Sequence, residues 1–508
     1  MEKSRVSKSK KNITFGIIYQ VITLFVNFIV RTIFIRMLSS DFLGMNGLFN
    51  NILSILSLAE LGIGHAIVFS MYKPLKEKDY KKLAEINCFY KSVYRIIGFI
   101  VLLLGLLVLP FLRYILNFDH EVQNVSLYYI LFLLNSVSSY FLIYKTSIVE
   151  ADQNGYLLKI VNMIFNIFKL IGQILSLTIF KSYFAYLIIQ LVISILTNFT
   201  NSIIAEKKYP FIKEKKELPK EEKKTIFENV KSLFMYQIGG VVLNNTDNII
   251  ISMICGTAIV GIYSNYCMII SAIETTLSMI FTSIVSSIGN FNVEKSNEEQ
   301  HKLFKSLNMV ATWIYGFCSI CFLIIFQNFI SIWAGEEYLL PYEVVIISVI
   351  NFYIRGMLYP IWCYRNTTKL FTKTKNIMLV AALINIIFSI ILGKFIGIFG
   401  ILLATALSRL LTNVWYEPYI LYKDFFKNDV KKYYITNIVN LAFITIVFII
   451  TYLICSNINI ANAWLKLIVD GIVCLIFVNA VLYIRYRNNE EFNYLLVKFL
   501  KINKKKGE

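Results

Sequence analysis

Gln20, Thr23, Asn27 and Arg31 lie in an apolar stretch, residues 19–44, that is long enough to cross a bilayer. Their steps of 3, 4 and 4 put all four on one face of a helix. An arginine at that depth is costly against lipid and calls for protein, water or an anion. Guanidinium forks match phosphate oxygens, so the chemistry on offer is anion binding. Lys169, Arg355 and Arg409 are further cations deep in apolar segments, whereas Asp247 and Glu274 are the deep acids. This cationic surplus either lines an anion-binding cavity or is consumed in ion pairs, and both readings stand. Asp247 and Glu274 are candidates for coupling a proton or sodium ion, or for pairing with arginines of neighbouring helices. Arg36, Lys91, Arg95, Glu417, Lys466 and Asp470 fall nearer segment ends, where long side chains snorkel to water.

The polar stripe recurs. Shifting the chain by 217 positions lays residues 236–261 over 19–44 without a gap, pairing Tyr19 with Tyr236, Gln20 with Gln237, Asn27 with Asn244, Ile33 with Ile250 and Gly44 with Gly261. Arg31 falls on Asn248, beside Asp247. The register continues through Ser54/Ser271 and Glu77-Lys78/Glu294-Lys295, and Leu196-Thr197-Asn198 recurs as Leu411-Thr412-Asn413. Gln20, Asn27, Gln237, Asn244 and Asn248 therefore join Arg31, Lys169, Arg355 and Arg409 as candidate substrate contacts.

The elements that position these residues are membrane helices. Of the 508 residues, 57% are hydrophobic and only 16% charged, against roughly 25% in soluble domains. About fourteen apolar segments run from 13–38 to 463–486, so the fold class is an all-α polytopic membrane protein. An even count puts both termini on one side. Nearly all of the 50 Lys and Arg residues fall on that side or within spans, leaving Arg113, Lys181 and Lys394 outside. The positive-inside rule makes that side the cytoplasm, in a multi-pass plasma-membrane protein. It also accounts for the net charge of +19 without nucleic acid. The first segment is too long for a cleaved signal and reads as a retained helix.

Residues 206–230 are the longest hydrophilic stretch and separate residues 1–205, a six-helix bundle, from 231–430, a second one. Residues 431–508 add two helices and a basic cytoplasmic tail. Equal starting sides make the two bundles parallel repeats, pseudo-symmetric about the membrane normal. Residues 73–82 read as a short interfacial helix, and Glu150-Ala151-Asp152 as part of a solvated loop with its turn at Asn154-Gly155. The eight cysteines, with Cys318 and Cys321 in CxxC spacing, and the scattered His65, His120 and His301 form no ligand set, so no metal or other cofactor is implied. No nucleophile elbow, Walker loop or zinc-protease motif occurs, and the short outside loops leave little room for a catalytic domain.

Several stretches resemble one family. VRTIFIRMLSSDFLGMNGLF (30–49), AELGIGHAIVFSMYKPLKEKD (59–79), GGVVLNNTDNIIIS and GIYSNYCMII (239–270), residues 355–375 and WYEPYILYK (415–423) are similar to the Wzx-type polysaccharide-biosynthesis translocases. These bacterial proteins belong to the multidrug/oligosaccharidyl-lipid/polysaccharide flippase superfamily. The resemblance implies a V-shaped pair of bundles around a cationic cavity, working by alternating access. The implied substrate is an undecaprenyl-pyrophosphate-linked oligosaccharide, carried from the cytoplasmic to the outer leaflet for capsular or other surface polysaccharide. Membrane lipids, a polysaccharide polymerase and other assembly proteins are the implied partners. Arg31 best matches the first-helix arginines that engage pyrophosphate in related lipid II flippases; Lys169, Arg355 and Arg409 rest on the depth argument alone. The alternatives are a drug/cation antiporter or lipid II flippase of the same superfamily and, in another class, a membrane glycan polymerase or assembly scaffold.

Overall fold

The computed structural model describes residues 2–60, 63–118, 122–214, 216–294, 296–368 and 370–500. His120, Lys295 and the end of the basic tail lie outside them, as do the side chains of His65 and Tyr236. Among the described residues the chain forms helices and no strand. Helices close every backbone hydrogen bond within themselves, the only open-ended solution that lipid tolerates. The chain is a multi-pass membrane protein. Among the described residues, eleven helices are long and apolar enough to cross a membrane, or twelve if a pair bent by 49° is one crossing.

The longer helices are α1 (Glu2–Met37), α2 (Ser40–Leu56), α3 (Ile63–Glu77), α4 (Tyr80–Val108), α5 (Val125–Tyr140), α6 (Ile143–Ala151), α7 (Tyr156–Thr178), α8 (Tyr183–Lys208), α9 (Lys220–Cys255) and α10 (Thr257–Glu294). They continue as α11 (Asn297–Trp333), α12 (Tyr342–Thr367), α13 (Ile377–Leu411), α14 (Asn413–Ile420), α15 (Lys431–Asn457), α16 (Ala463–Val473), α17 (Asn479–Tyr486) and α18 (Glu490–Leu500). The bent pair is α5 and α6. The chain divides into two compact units, Met1–Ser264 and Asn265–Glu508.

The count departs from fourteen where helices break or fuse. The sequence expects one crossing over 46–71, but the structure interrupts it with a 3-10 turn, Ser57–Glu60, between α2 and α3. The run Ile377–Phe426 spans 50 residues as one helical rod, yet it is not straight. At Gly397 φ is +60° and ψ is −144°, a conformation open essentially to glycine. A Cβ on Gly400 would lie 2.3 Å from the Leu392 carbonyl oxygen, eight positions earlier. In a continuous helix eight residues rise about 12 Å, so the chain doubles back here. That hairpin agrees with separate segments at 375–396 and 398–421.

In the first unit α1 runs alongside α7, α7 against α8, and α2 against α9. Leu43, Met45, Leu48 and Phe49 of α2 and Leu133 of α5 are fully buried and anchor its core. Residues 73–82 do not form their own helix. The first five end α3, Lys78 takes a φ of +57°, and Asp79 caps α4 by accepting from the Lys82 backbone amide at 2.9 Å. The 150–155 region is also not a solvated loop. Asn154 is 2% exposed, and Gln153 rather than Gly155 takes the left-handed conformation, with φ +58°. Asp152 accepts from Lys8 (3.2 Å), Tyr209 (2.8 Å) and Asn154 (2.6 Å), tying the start of α1 to the chain beyond α8. Burial and the bond to Asp152 raise the Tyr209 hydroxyl well above its ordinary pKa, so it remains a donor.

In the second unit α11 packs on α12, and α15 to α17 pack on α11 around Met309, Ile320, Ile444, Val447, Val478 and Leu482. Lipid gives apolar helices little reason to associate, and polar contacts fix this docking. Asn308 donates to Asn437 at 3.1 Å and Trp313 to Asn479 at 2.9 Å. The C-terminal stretch is more than a basic tail: α18 stacks Phe492 on Trp313 at 6.1 Å, and Ser306 donates to the Glu491 carbonyl at 3.1 Å.

Candidate substrate site

Arg31 projects from α1 toward the start of α10. Its Nη2 donates to the Gly261 carbonyl at 3.4 Å and to the Ser264 hydroxyl. Tyr186 lies within reach of its charge and hydrogen-bonds Asn46 and Gln173. The four-residue stripe is not uniform: Gln20 and Thr23 are half-buried, whereas Asn27 is exposed.

α1 and α7 run in the same direction. Lys8 meets Asp152, the Tyr156 amide donates to Asn12 at 2.7 Å, and a Cβ on Gly16 would lie 2.7 Å from Lys159 Nζ. Carried forward along parallel helices, that register brings Lys169 level with Val26, between Thr23 and Arg31. Lys169 is half-buried and makes no hydrogen bond or ion pair among the described residues. Along α7 it shares a face with Asn162, Asn166 and Gln173, the same 4, 3, 4 stepping as the α1 stripe in another order.

Two cavities open inside the first unit. One, of about 620 Å³, lies among α2, the turn after it, α4, α5, α6 and α9. Its described wall includes Glu60, Glu150, Tyr94 and Gln237. Tyr94 donates to Glu60 at 3.0 Å. The second, of about 580 Å³, adjoins it at Ile143, Thr146 and Glu150 and reaches α1, α7 and α8; Lys159 is the single cation among its described lining residues. Of the sequence-derived candidates, Gln237 alone lines either cavity. Asn244 is exposed and donates to the Gly240 carbonyl of its own helix at 2.7 Å, while Asp247 and Asn248 are half-buried in α9.

Two candidates of the second unit pair with each other. Arg355 Nη1 reaches both carboxylate oxygens of Glu274, at 3.0 and 2.8 Å. Arg409 is 2% exposed, deep in α13. A more deeply buried charge pair involves Glu417, which the sequence places near a segment end. Arg365 meets Glu417 at 3.3 Å, with the two 7% and 2% exposed, and Asn413 donates to the same carboxylate at 2.8 Å. Both residues lie within stretches quoted above, Arg365 in 355–375 and Glu417 in 415–423, but nothing in sequence pairs residues 52 apart.

A family model described as "Polysaccharide biosynthesis protein" matches residues 9–286, more than half of the chain. The chain belongs to that family. No curated protein matches it. Among solved structures, this polysaccharide biosynthesis protein is similar to the lipid II flippase MurJ in an inward closed conformation. The TM-score is 0.65 at 18% identity, covering 94% of this chain and 99% of MurJ. It is also similar to a multidrug resistance MATE family transporter in an inward-facing conformation (TM-score 0.57, 14% identity, 78% and 93% covered). A third is the Vibrio cholerae MATE transporter VcmN in its bent form (TM-score 0.55, 13% identity, 84% and 98% covered). These likenesses establish the fold, that of membrane flippases and transporters.

Proposed function

We propose that the protein is a flippase that moves an undecaprenyl-pyrophosphate-linked oligosaccharide from the cytoplasmic to the outer leaflet of the plasma membrane. Its product would feed capsular or other surface polysaccharide synthesis, alongside a polymerase and assembly proteins. Both termini are taken to be cytoplasmic, and the two repeats to alternate access around the substrate.

The observation that carries this reading is Lys169. Its ammonium is half-buried in a membrane helix without an acidic partner among the described residues, level with the Arg31 stripe on the adjoining helix. A cation so placed is stabilised by an anion entering from outside the protein. The family supplies polysaccharide chemistry, and the fold is one that a lipid II flippase uses. A diphosphate held by Arg31 and Lys169 leaves the polyprenyl tail in lipid while the sugar crosses in a polar interior. With the cell interior negative, each negative charge moved outward gains roughly 2.3 kcal/mol per 100 mV. Arg355 paired with Glu274 is better placed to order the second unit than to hold the anion. Arg409, Asp247, Asn244 and Asn248 remain candidates for later steps of the passage.

The test is binding of undecaprenyl diphosphate to purified protein. Lys169→Ala and Arg31→Ala should each weaken it about tenfold or more, the worth of one charge-assisted contact. Unchanged affinity in both variants would remove the diphosphate site.

A further inference from the structure

We propose that α15 and α17, at the end taken above as cytoplasmic, hold the phosphate of an anionic phospholipid through Arg485. This site lies within the second unit, apart from Arg31 and Lys169, and does not depend on what the protein transports.

Arg485 is a positioned cation whose polar partners are neutral. Its Nη2 donates to Asn440 Oδ1 at 3.3 Å, Tyr486 is a second hydrogen-bond partner, and the guanidinium carbon lies 4.2 Å from the centroid of the Phe443 ring. Its Nε is buried and has no acceptor among the described residues. Glu491 is near enough for its charge to be felt at Tyr486, yet among the described residues no carboxylate forms an ion pair with Arg485. A guanidinium so held in a membrane protein is stabilised by an anion from outside it.

The helix ends leave that anion a place. α17 stops at Tyr486, one residue past Arg485, and α18 then packs on α11. α15 runs on from Asn440 to its start at Lys431, about 13 Å of helix. Lys432, Thr436, Asn440 and Phe443 are spaced 4, 4 and 3 apart and share one face of α15. Asn440 and Phe443 meet Arg485, whereas Thr436 and Lys432 are exposed and extend the face past the end of α17. Ile435 and Ile438 beside them are exposed apolar side chains of the kind that acyl chains cover. An anion that reaches Arg485 along this surface therefore arrives attached to a lipid.

The charge at this end has the matching sign. Lys305 of α11 and Lys432 both lie close enough to His301 for their charges to be felt there, and neither has an ion-pair partner among the described residues. Nearby acids are engaged: Asp429 accepts from the Lys431 backbone amide at 2.9 Å, and Glu298 meets Lys302 at 3.0 Å. A phosphate between Arg485 and Lys432 gains a charge-assisted hydrogen bond from the first and long-range attraction from the second.

The experiment titrates purified full-length protein, in a neutral detergent, with phosphatidylglycerol and separately with phosphatidylcholine. Bound lipid is counted by native mass spectrometry. The wild type should hold phosphatidylglycerol about tenfold tighter, the worth of one charge-assisted contact. Arg485→Gln should bring the two lipids within about twofold of each other, and Arg485→Lys should keep part of the preference. Lys432→Gln, at an exposed position that folding does not need, should lower the preference by about threefold to fivefold. Neither excess inorganic phosphate nor undecaprenyl diphosphate should displace the phosphatidylglycerol. Equal binding of the two lipids by the wild type, or an undiminished preference in Arg485→Gln, overturns the proposal. Displacement by inorganic phosphate would make the ligand a free anion, and displacement by undecaprenyl diphosphate would make it the carrier lipid; either result also overturns it.

Discussion

Gly44 and Gly261, 217 positions apart, stand backbone to backbone: a Cβ on Gly261 would lie 3.0 Å from the Gly44 amide nitrogen. The contact is reciprocal. That same Cβ would lie 2.1 Å from the Ser40 carbonyl oxygen, and a Cβ on Gly44 would lie 2.0 Å from that of Thr257. Ser40 and Thr257 are themselves related by the 217-residue register, so equivalent atoms of two equivalent helix starts meet face to face. Gly44→Ala and Gly261→Ala should each destabilise the protein by about 1–3 kcal/mol, the usual cost of overpacking, since the obstacle is backbone. The double variant should cost less than the sum, because one opening of the seam relieves both clashes. Denaturation midpoints of the four proteins in detergent check this, and strict additivity would argue against a shared seam.

Arg31 sits beside that seam, holding the Gly261 carbonyl and Ser264. Arg31→Ala should abolish polymer export while leaving protein abundance near normal, because its two acceptors can find other donors. Arg31→Lys should restore export only in part, since an ammonium lacks the fork that matches a diphosphate. Immunoblotting and surface-polymer staining of the same cultures separate the two effects. Full export in Arg31→Ala would end the anion role.

The buried Arg365–Glu417 pair predicts a specific non-additivity. Glu417→Gln should destabilise the second unit by about 3–5 kcal/mol by leaving the Arg365 charge buried without its carboxylate. Replacing both together, Arg365→Met with Glu417→Leu, should cost less than either single change, as apolar replacements of buried pairs often do. A thermal double-mutant cycle measures it, and a double variant as unstable as the sum would contradict it.

Gly397 should tolerate no side chain. Its φ of +60° with ψ of −144° is a glycine conformation at the tip of the α13 hairpin. Gly397→Ala should lower stability by about 1–3 kcal/mol, read as a lower unfolding midpoint. An unchanged midpoint would mean that the turn relaxes without strain.

What the sequence made legible follows from how local each signal was. Periodicity and apolar length marked the helices, and the repeat picked out Gly44 and Gly261, but not that they touch. Arg31 was visible as a costly residue in its own stretch. Whether Arg355 was free or paired depended on Glu274, 81 positions away, and depth alone could not decide it. The lining of the cavities was least legible. Asn135, Asn201 and Glu150 are ordinary polar residues at helix positions, and become a surface only when five or six helices converge. Arg31 and Lys169 stand outside the described linings of both cavities of the first unit. The docking of α18 was hidden by a stretch that reads as a charged tail until Phe492 finds Trp313.

The central claim is that this protein carries a lipid-linked oligosaccharide outward, and one measurement addresses it most directly. In cells lacking the protein, the leaflet holding the lipid-linked oligosaccharide is determined with a membrane-impermeant sugar-modifying reagent, before and after permeabilisation. The account predicts that the lipid accumulates and is labelled only after permeabilisation, with surface polymer lost. Labelling in intact cells, or unchanged export of polymer, would contradict it.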